Sequence, residues 1–182
     1  MTSPSPLQCD TFYHIFNRGI NRENIFIQER NYYHFFILYT KYIEPVAETY
    51  AYCLLRNHFH LLVKIKPEAV IPDKPSKRFS DFFNAYAKAI NAAYGRTGSL
   101  FQHPFGRVAI TNDTQLLRGI AYIHQNPQKH GFLDDFREWK YSSYGVIMTE
   151  QPTHIQRAKV LDWFSTPEQY RNFHEKKVTD QN

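Results

Sequence analysis

Cysteine is nearly absent from this chain: Cys9 and Cys53 are the only two among 182 residues. Two thiols cannot build a disulfide framework, and these have neither the pairing nor the spacing of a zinc finger. Cys53 falls in an apolar strand pattern, which predicts a small buried thiol. No apolar run approaches the ~20 residues of a membrane span, so no membrane association is expected. The opening Met1-Thr2-Ser3-Pro4-Ser5-Pro6 lacks the basic-then-apolar layout of a signal peptide, and cytoplasmic residence is the resulting expectation. Internal repeats and the glycine-rich P-loop pattern are missing too, so nucleotide hydrolysis is not indicated.

Acidic residues are in deficit, with 17 Asp and Glu against 22 Lys and Arg for a net charge of +5. That balance leans towards a polyanionic partner. A hydrophobic content of 42% with 21% charged residues is that of an ordinary globular protein. The length suits one domain with a proper core plus appended elements, here divided into residues 1–150 and a C-terminal helical extension, 151–182. Aromatic residues reach 16%, with thirteen tyrosines, so a special role for any one tyrosine needs a positional reason.

Residues 11–18 alternate around β-formers and predict a first strand, followed by turn chemistry at Gly19-Ile20-Asn21-Arg22. Helical spacing over 31–43 ends at Glu44-Pro45, and two strands, 49–55 and 58–65, follow with a short antiparallel connection. Residues 67–78 hold three prolines and mixed charge, which predicts an exposed linker. Phe79, Phe82, Phe83, Tyr86, Ile90 and Ala93 then mark the buried stripe of a second helix. Gly95-Arg96-Thr97-Gly98 closes that helix, and 107–111 predicts a fourth strand. Asp113 can cap a third helix through Leu116, Leu117, Ile120 and Ile123, with Pro127 expected to halt it. Ser165-Thr166-Pro167-Glu168 predicts a further helix start. Strand, helix, strand, strand, helix, strand, helix implies an α+β fold: an antiparallel sheet with helices packed on one face, of ferredoxin-like type.

The chemistry-bearing run is Asn57-His58-Phe59-His60 with Leu61 to Lys66 behind it. Successive strand side chains point to opposite faces. Phe59, Leu61, Val63 and Ile65 therefore share one face, and His58, His60, Leu62, Lys64 and Lys66 share the other. Two imidazoles on one face can ligate one metal ion, and lysines in line with them can hold a polyanion; surface or hydrogen-bonded histidines are the plain alternative. On the third helix Tyr122 and Asn126 stand four residues apart, hence on one face. Docked near the histidines, Asn126 would add an amide oxygen to two imidazole nitrogens, a set suited to Mg²⁺ or Mn²⁺ with phosphate and water in the other positions. The Tyr122 phenol would then be the nucleophile. Core packing for Tyr122 and a helix stop for Asn126 before Pro127 are the plain alternatives.

Arg-Asn-His-Phe-His-Leu-Leu-Val-Lys-Ile-Lys (56–66) resembles the histidine-hydrophobic-histidine motif of the single-tyrosine transposases. Tyr-Ile-His-Gln-Asn-Pro-Gln-Lys-His-Gly-Phe (122–132) resembles the tyrosine-helix segment of their REP-associated branch. Three more runs match in order: 13–19 (YHIFNRG), 98–107 (GSLFQHPFGR) and 139–144 (WKYSSY). The resemblance implies a histidine-hydrophobic-histidine endonuclease fold, ferredoxin-like or RRM-like. It also implies a 5′-phosphotyrosine intermediate with a free 3′-hydroxyl, on single-stranded DNA beside an imperfect, REP-like hairpin. Tyr122 matches the family's catalytic position, and His58, His60 and Asn126 match its metal positions. Two departures stand out. The family often has proline where this chain has Arg56, and many broader relatives use glutamine at the position of Asn126, with Gln125 one residue out of phase.

For DNA contact the candidates are Lys64 and Lys66 by strand parity, Arg18 and Arg22 near the first turn, Lys77 and Arg78, and Arg96 and Arg107. His124 is expected to be structural or DNA-facing. His103 and His130 have no assigned place on the metal, and His14, His34, His154 and His174 are expected in packing or at the surface. Two other functions remain open from the sequence: a non-catalytic hairpin-DNA-binding protein derived from a transposase, and a hydrolase that uses water. Both monomer and homodimer are compatible, and DNA binding would associate the chain with the nucleoid.

Overall fold

The computed structural model describes residues 5–176, so Met1–Pro4 and the last part of the 151–182 extension lie outside the described residues. Four strands, β1 (Phe12–Arg18), β2 (Ala47–Leu55), β3 (His58–Ile65) and β4 (Gly106–Ile110), form one antiparallel sheet in the order β2-β3-β1-β4. Helices α1 (Glu29–Tyr42) and α2 (Pro75–Tyr94) lie between strands, and α3 (Asp113–Lys129) follows β4. Three short helices come after it: α4 (Ser143–Ile147), α5 (Arg157–Trp163) and α6 (Pro167–Glu175). This is the expected α+β, ferredoxin-like order. Among the described residues no helix is long and apolar enough to cross a membrane.

Helices cover both faces of the sheet rather than one. Phe59, Leu61, Val63 and Ile65 of β3 join Phe35 and Tyr39 of α1 and Phe79, Phe82, Phe83 and Tyr86 of α2 in one core. Leu62, with Ala51, Cys53 and Leu55 of β2, joins Leu116, Ile120 and Ile123 of α3 in a second. Val160 of α5 and Tyr170 of α6 belong to that second core as well. The expectation of a single covered face overlooked the tail: α3 alone could not bury this side, and residues beyond 135 complete it.

Four local readings are corrected. Residues 75–78 are the first turn of α2, not linker, because Pro75 sits at a position where its fixed φ favours a helix and its missing N–H costs nothing; Ala93, near the other end, is exposed. Asn112, not Asp113, caps α3, its side chain accepting from the Gln115 N–H at 2.9 Å. Pro127 does not halt α3, which runs to Lys129 with Asn126 and Pro127 both buried; tertiary packing outweighs the local penalty.

The matched segments brace the sheet. The Gln102 N–H donates to the Arg18 carbonyl at 2.9 Å, extending the end of β1 with residues of the 98–107 run. Residues 139–144 cover the free edge of β2: Trp139 Nε1 donates to the Leu54 carbonyl at 2.9 Å, and the Tyr52 N–H donates to Ser143 Oγ at 2.8 Å. Gly106 opens β4 where the Phe16 ring lies against its backbone, and a Cβ built there would overlap the ring. Gly106→Ala is expected to displace Phe16 and to destabilise the fold by roughly 1–3 kcal/mol. Urea denaturation checks this, and a midpoint equal to that of the parent chain would refute it.

Candidate active site

The core set of β3 dictates where its histidines go. With Phe59 and Leu61 committed to α1 and α2, His58 and His60 face α3, and their relative exposures are only 4% and 7%. On α3, Tyr122, Asn126 and the C-capping His130 follow one another at four-residue spacing. The Tyr122 ring meets His60 edge-on at 5.7 Å between centroids, and the His130 ring meets His58 edge-on at 4.7 Å. Asn126 lies between those two contacts along the same helix ridge, fully buried. A cavity of about 390 Å³ opens here, lined by Phe16, Arg18, His58, His60, Tyr122 and His130 among others.

One nitrogen of each of His58, His60 and Asn126 is paired. His58 Nδ1 lies 2.7 Å from Asn57 Oδ1, which can only accept, so His58 carries its proton on Nδ1. His60 Nδ1 lies 2.8 Å from His14 Nε2. Asn126 Nδ2 donates to the Tyr122 carbonyl at 2.7 Å. What remains is His58 Nε2, His60 Nε2 and Asn126 Oδ1, all buried and without a hydrogen-bond partner among the described residues. A buried polar atom left unpaired costs about 1–3 kcal/mol, so three orphans in one region of a fold mark a place for a ligand. Two imidazole nitrogens and an amide oxygen fit a divalent cation. Among the described residues no three histidine, cysteine or acidic side chains cluster to hold an ion, so the amide oxygen is needed to complete the set.

Electrostatics favour neutral imidazoles. Burial, with His130 and Arg18 adding to it, lowers the His58 pKa to about 3, and burial chiefly holds His60 well below its ordinary value. Burial lowers His14 to about 4. Burial raises the Tyr122 phenol above its usual range, while the Asn126 amide and the Arg18 charge pull the other way. The Lys129 ammonium stands 4.9 Å from the centre of the Tyr122 ring.

His58, His60, Tyr122 and Arg18 are thus brought to one cavity, with Asn126 behind it. The other basic candidates are not. Lys64 pairs with Asp10 at 3.5 Å and Lys66 donates to the Glu44 carbonyl at 2.6 Å, both at the end of β3 remote from His58. Arg22 is exposed on the turn after β1. Lys77 and Arg78 face Asp73, with Asp81 also on Lys77, and Arg96 pairs with Glu23 at 2.6 Å. Arg107 lies over the Phe105 ring and donates to the Ser5 carbonyl. Gln125 is engaged elsewhere, donating to the His174 carbonyl at 2.6 Å. His124 is structural: fully buried, it bonds His174 at 2.8 Å and Ser143 at 2.7 Å. His14 and His130, given no part in the site from sequence, both touch it; strand parity places His14 on the His60 side, and the four-residue step from Asn126 to His130 was the available signal.

Four buried histidines (His58, His60, His124 and His174) have pKa values below the ordinary 6.5. Below pH 6.5 the unfolded chain therefore binds protons that the folded chain refuses. Their contribution is fully present above that pH and is lost as pH falls towards about 3 for His58 and about 4 for His174, by at most roughly 1.4 kcal/mol per pH unit for each ring. Thermal melts should show a Tm at pH 5 several degrees below that at pH 7. An equal Tm would mean that these rings take up protons without unfolding.

No family model matches the chain. A Haemophilus influenzae protein named "Putative REP-associated tyrosine transposase" is 29% identical over 106 residues, covering 53% of this chain and 58% of that protein, so the chain spans a little over half the length of this curated relative. A solved structure of a REP-associated tyrosine transposase bound to a REP hairpin superposes with a TM-score of 0.64 at 19% identity, over 84% of this chain and 88% of that one. The relative bears out the resemblance read from the motifs, and the solved structure bears out the fold.

Proposed function

We propose that this chain cleaves and rejoins single-stranded DNA beside a hairpin, through a transient bond between Tyr122 and a DNA 5′-phosphate, assisted by Mg²⁺ or Mn²⁺. The observation that supports this reading is the meeting of His58, His60 and the Tyr122 phenol in one cavity, with buried acceptors on His58, His60 and, one turn beyond Tyr122, Asn126 that have no hydrogen-bond partner among the described residues. Those three residues would hold the ion. When bound, it polarises the phosphate and offsets charge developing on its oxygens.

The chain's own residues account for the rest. The Tyr122 oxygen forms the new bond to phosphorus as the bond from phosphorus to the 3′-oxygen breaks. The phenol gives up its proton to solvent, and the 3′-oxygen takes one proton from solvent and leaves as a free hydroxyl, so the step is proton-neutral. Rejoining reverses these changes with a second 3′-hydroxyl; one phosphodiester replaces another, so no nucleotide is consumed. Burial keeps the phenol protonated in the resting site, and Arg18, in the same cavity, favours the anion that attacks and offers a contact to the phosphate it attacks.

Hairpin DNA is proposed as partner because the solved structure of like fold is in complex with one. Lys64, Lys66, Arg22, Lys77, Arg78, Arg96 and Arg107 are candidates for phosphates farther along the strand. Exposed ion pairs are worth only about 0–1 kcal/mol, so exchanging Asp73 or Asp81 for a phosphate costs Lys77 little. The protein acts in the cytoplasm, on the nucleoid when bound, as a monomer or homodimer.

The test is a denaturing gel after incubation with a labelled hairpin oligonucleotide and Mn²⁺. The parent chain is expected to form a covalent protein–DNA adduct. Tyr122→Phe should lose it while hairpin affinity changes by less than about twofold, since one hydroxyl lost from a phosphate-dominated interface is a minor term. An adduct that survives in the variant would show another nucleophile. Cleavage without any adduct would favour a hydrolase using water, and binding without cleavage a non-catalytic descendant of a transposase.

A further inference from the structure

On β1, His14 stands two residues from Phe16, which pairs with His60 across the sheet, so the His14 and His60 side chains are diagonal neighbours on one face. Their rings lie 5.0 Å apart at 30°, with His14 Nε2 2.8 Å from His60 Nδ1. His14 also meets the Tyr122 ring edge-on at 5.9 Å and the Phe16 ring at 5.0 Å. It therefore touches both the imidazole and the phenol of the proposed site without itself supplying an orphaned atom.

We infer that His14 is a positioning residue that fixes the tautomer of His60 and turns its Nε2 lone pair towards the cation. The comparison with His58 is direct. Asn57 Oδ1 can only accept, and so compels His58 to carry its proton on Nδ1 and leave Nε2 bare. The partner of His60 is another imidazole, which can play either part. If His60 donates from Nδ1, His14 accepts at Nε2 and keeps its own proton on Nδ1; His60 Nε2 is then a free lone pair. In the reverse arrangement His60 Nε2 carries a hydrogen in a buried place with no acceptor among the described residues. Only the first arrangement presents matched nitrogens from His58 and His60 to a cation. His14 thus does for one ring what Asn57 does for the other, as outer partners of metal-bound histidines do generally.

This inference rests on the metal reading of the site, and the experiment separates the two. Mn²⁺ is titrated into the full chain without DNA, with free ion followed by electron paramagnetic resonance, for the parent, His14→Phe and His14→Gln. Phenylalanine keeps the ring and removes the acceptor, whereas glutamine restores an acceptor oxygen. His14→Phe is expected to bind Mn²⁺ about 10–100-fold more weakly, with His14→Gln recovering most of the loss. Equal binding by the parent and His14→Phe overturns the inference alone; no binding by any chain overturns the metal reading and this inference with it. Nitrogen-15 spectra of the histidine rings of the parent chain serve should His14→Phe fail to fold. A His60 ring protonated on Nδ1 supports the assignment, and one protonated on Nε2 overturns it.

Discussion

Strand β3 is buried on both faces, and that constraint sets the rest of the site. Its odd-numbered residues fill one core against α1 and α2, while the even ones face α3. Because the side-chain period is two, a slip of one residue would carry Phe59 and Leu61 out of their core and His58 and His60 into it. The large apolar set on the far side thereby fixes the register of the histidines. Their shared face follows from hydrophobic burial elsewhere.

The same region shows where hydrogen bonding is complete and where it stops. Each buried ring has a partner on one nitrogen, Asn57 for His58 and His14 for His60, and the Asn126 amide hydrogens turn back to the Tyr122 carbonyl. These bonds hold the side chains still. They leave the remaining acceptors of three residues on facing elements without a partner among the described residues. Each such atom carries the desolvation cost of an unmade bond, which a bound cation would offset. Tyr122, half-buried, lines the same cavity as His58 and His60.

Much of this was legible in the residues. The alternation of His-Phe-His-Leu-Leu-Val-Lys-Ile fixes a strand and its faces, and the four-residue step from Tyr122 to Asn126 fixes a helix ridge; both periods are local and survive into the fold. The parts that were not legible depend on distant partners. Pro127 reads as a stop by its own geometry, yet packing of α3 against β2 carries the helix past it. Pro75 reads as linker beside two other prolines, although it begins a helix. Helices on the second face could not be read from order alone, because α5 and α6 reach that core only through the folded tail. His14 was passed over as a packing or surface residue, since parity gives its face but not the pairing of β1 with β3 that brings it to His60. Lys64 and Lys66 share the histidines' parity, but parity says nothing of distance along the strand: Lys64 lies opposite Phe12, whereas His58 lies opposite Arg18.

A crystal of the chain soaked in Mn²⁺ and measured at the manganese absorption edge goes to the centre of the account. An anomalous peak bonded to His58 Nε2, His60 Nε2 and Asn126 Oδ1, beside the Tyr122 hydroxyl, is the predicted result. A fully soaked crystal with no peak there, or with the ion on other side chains, would contradict it.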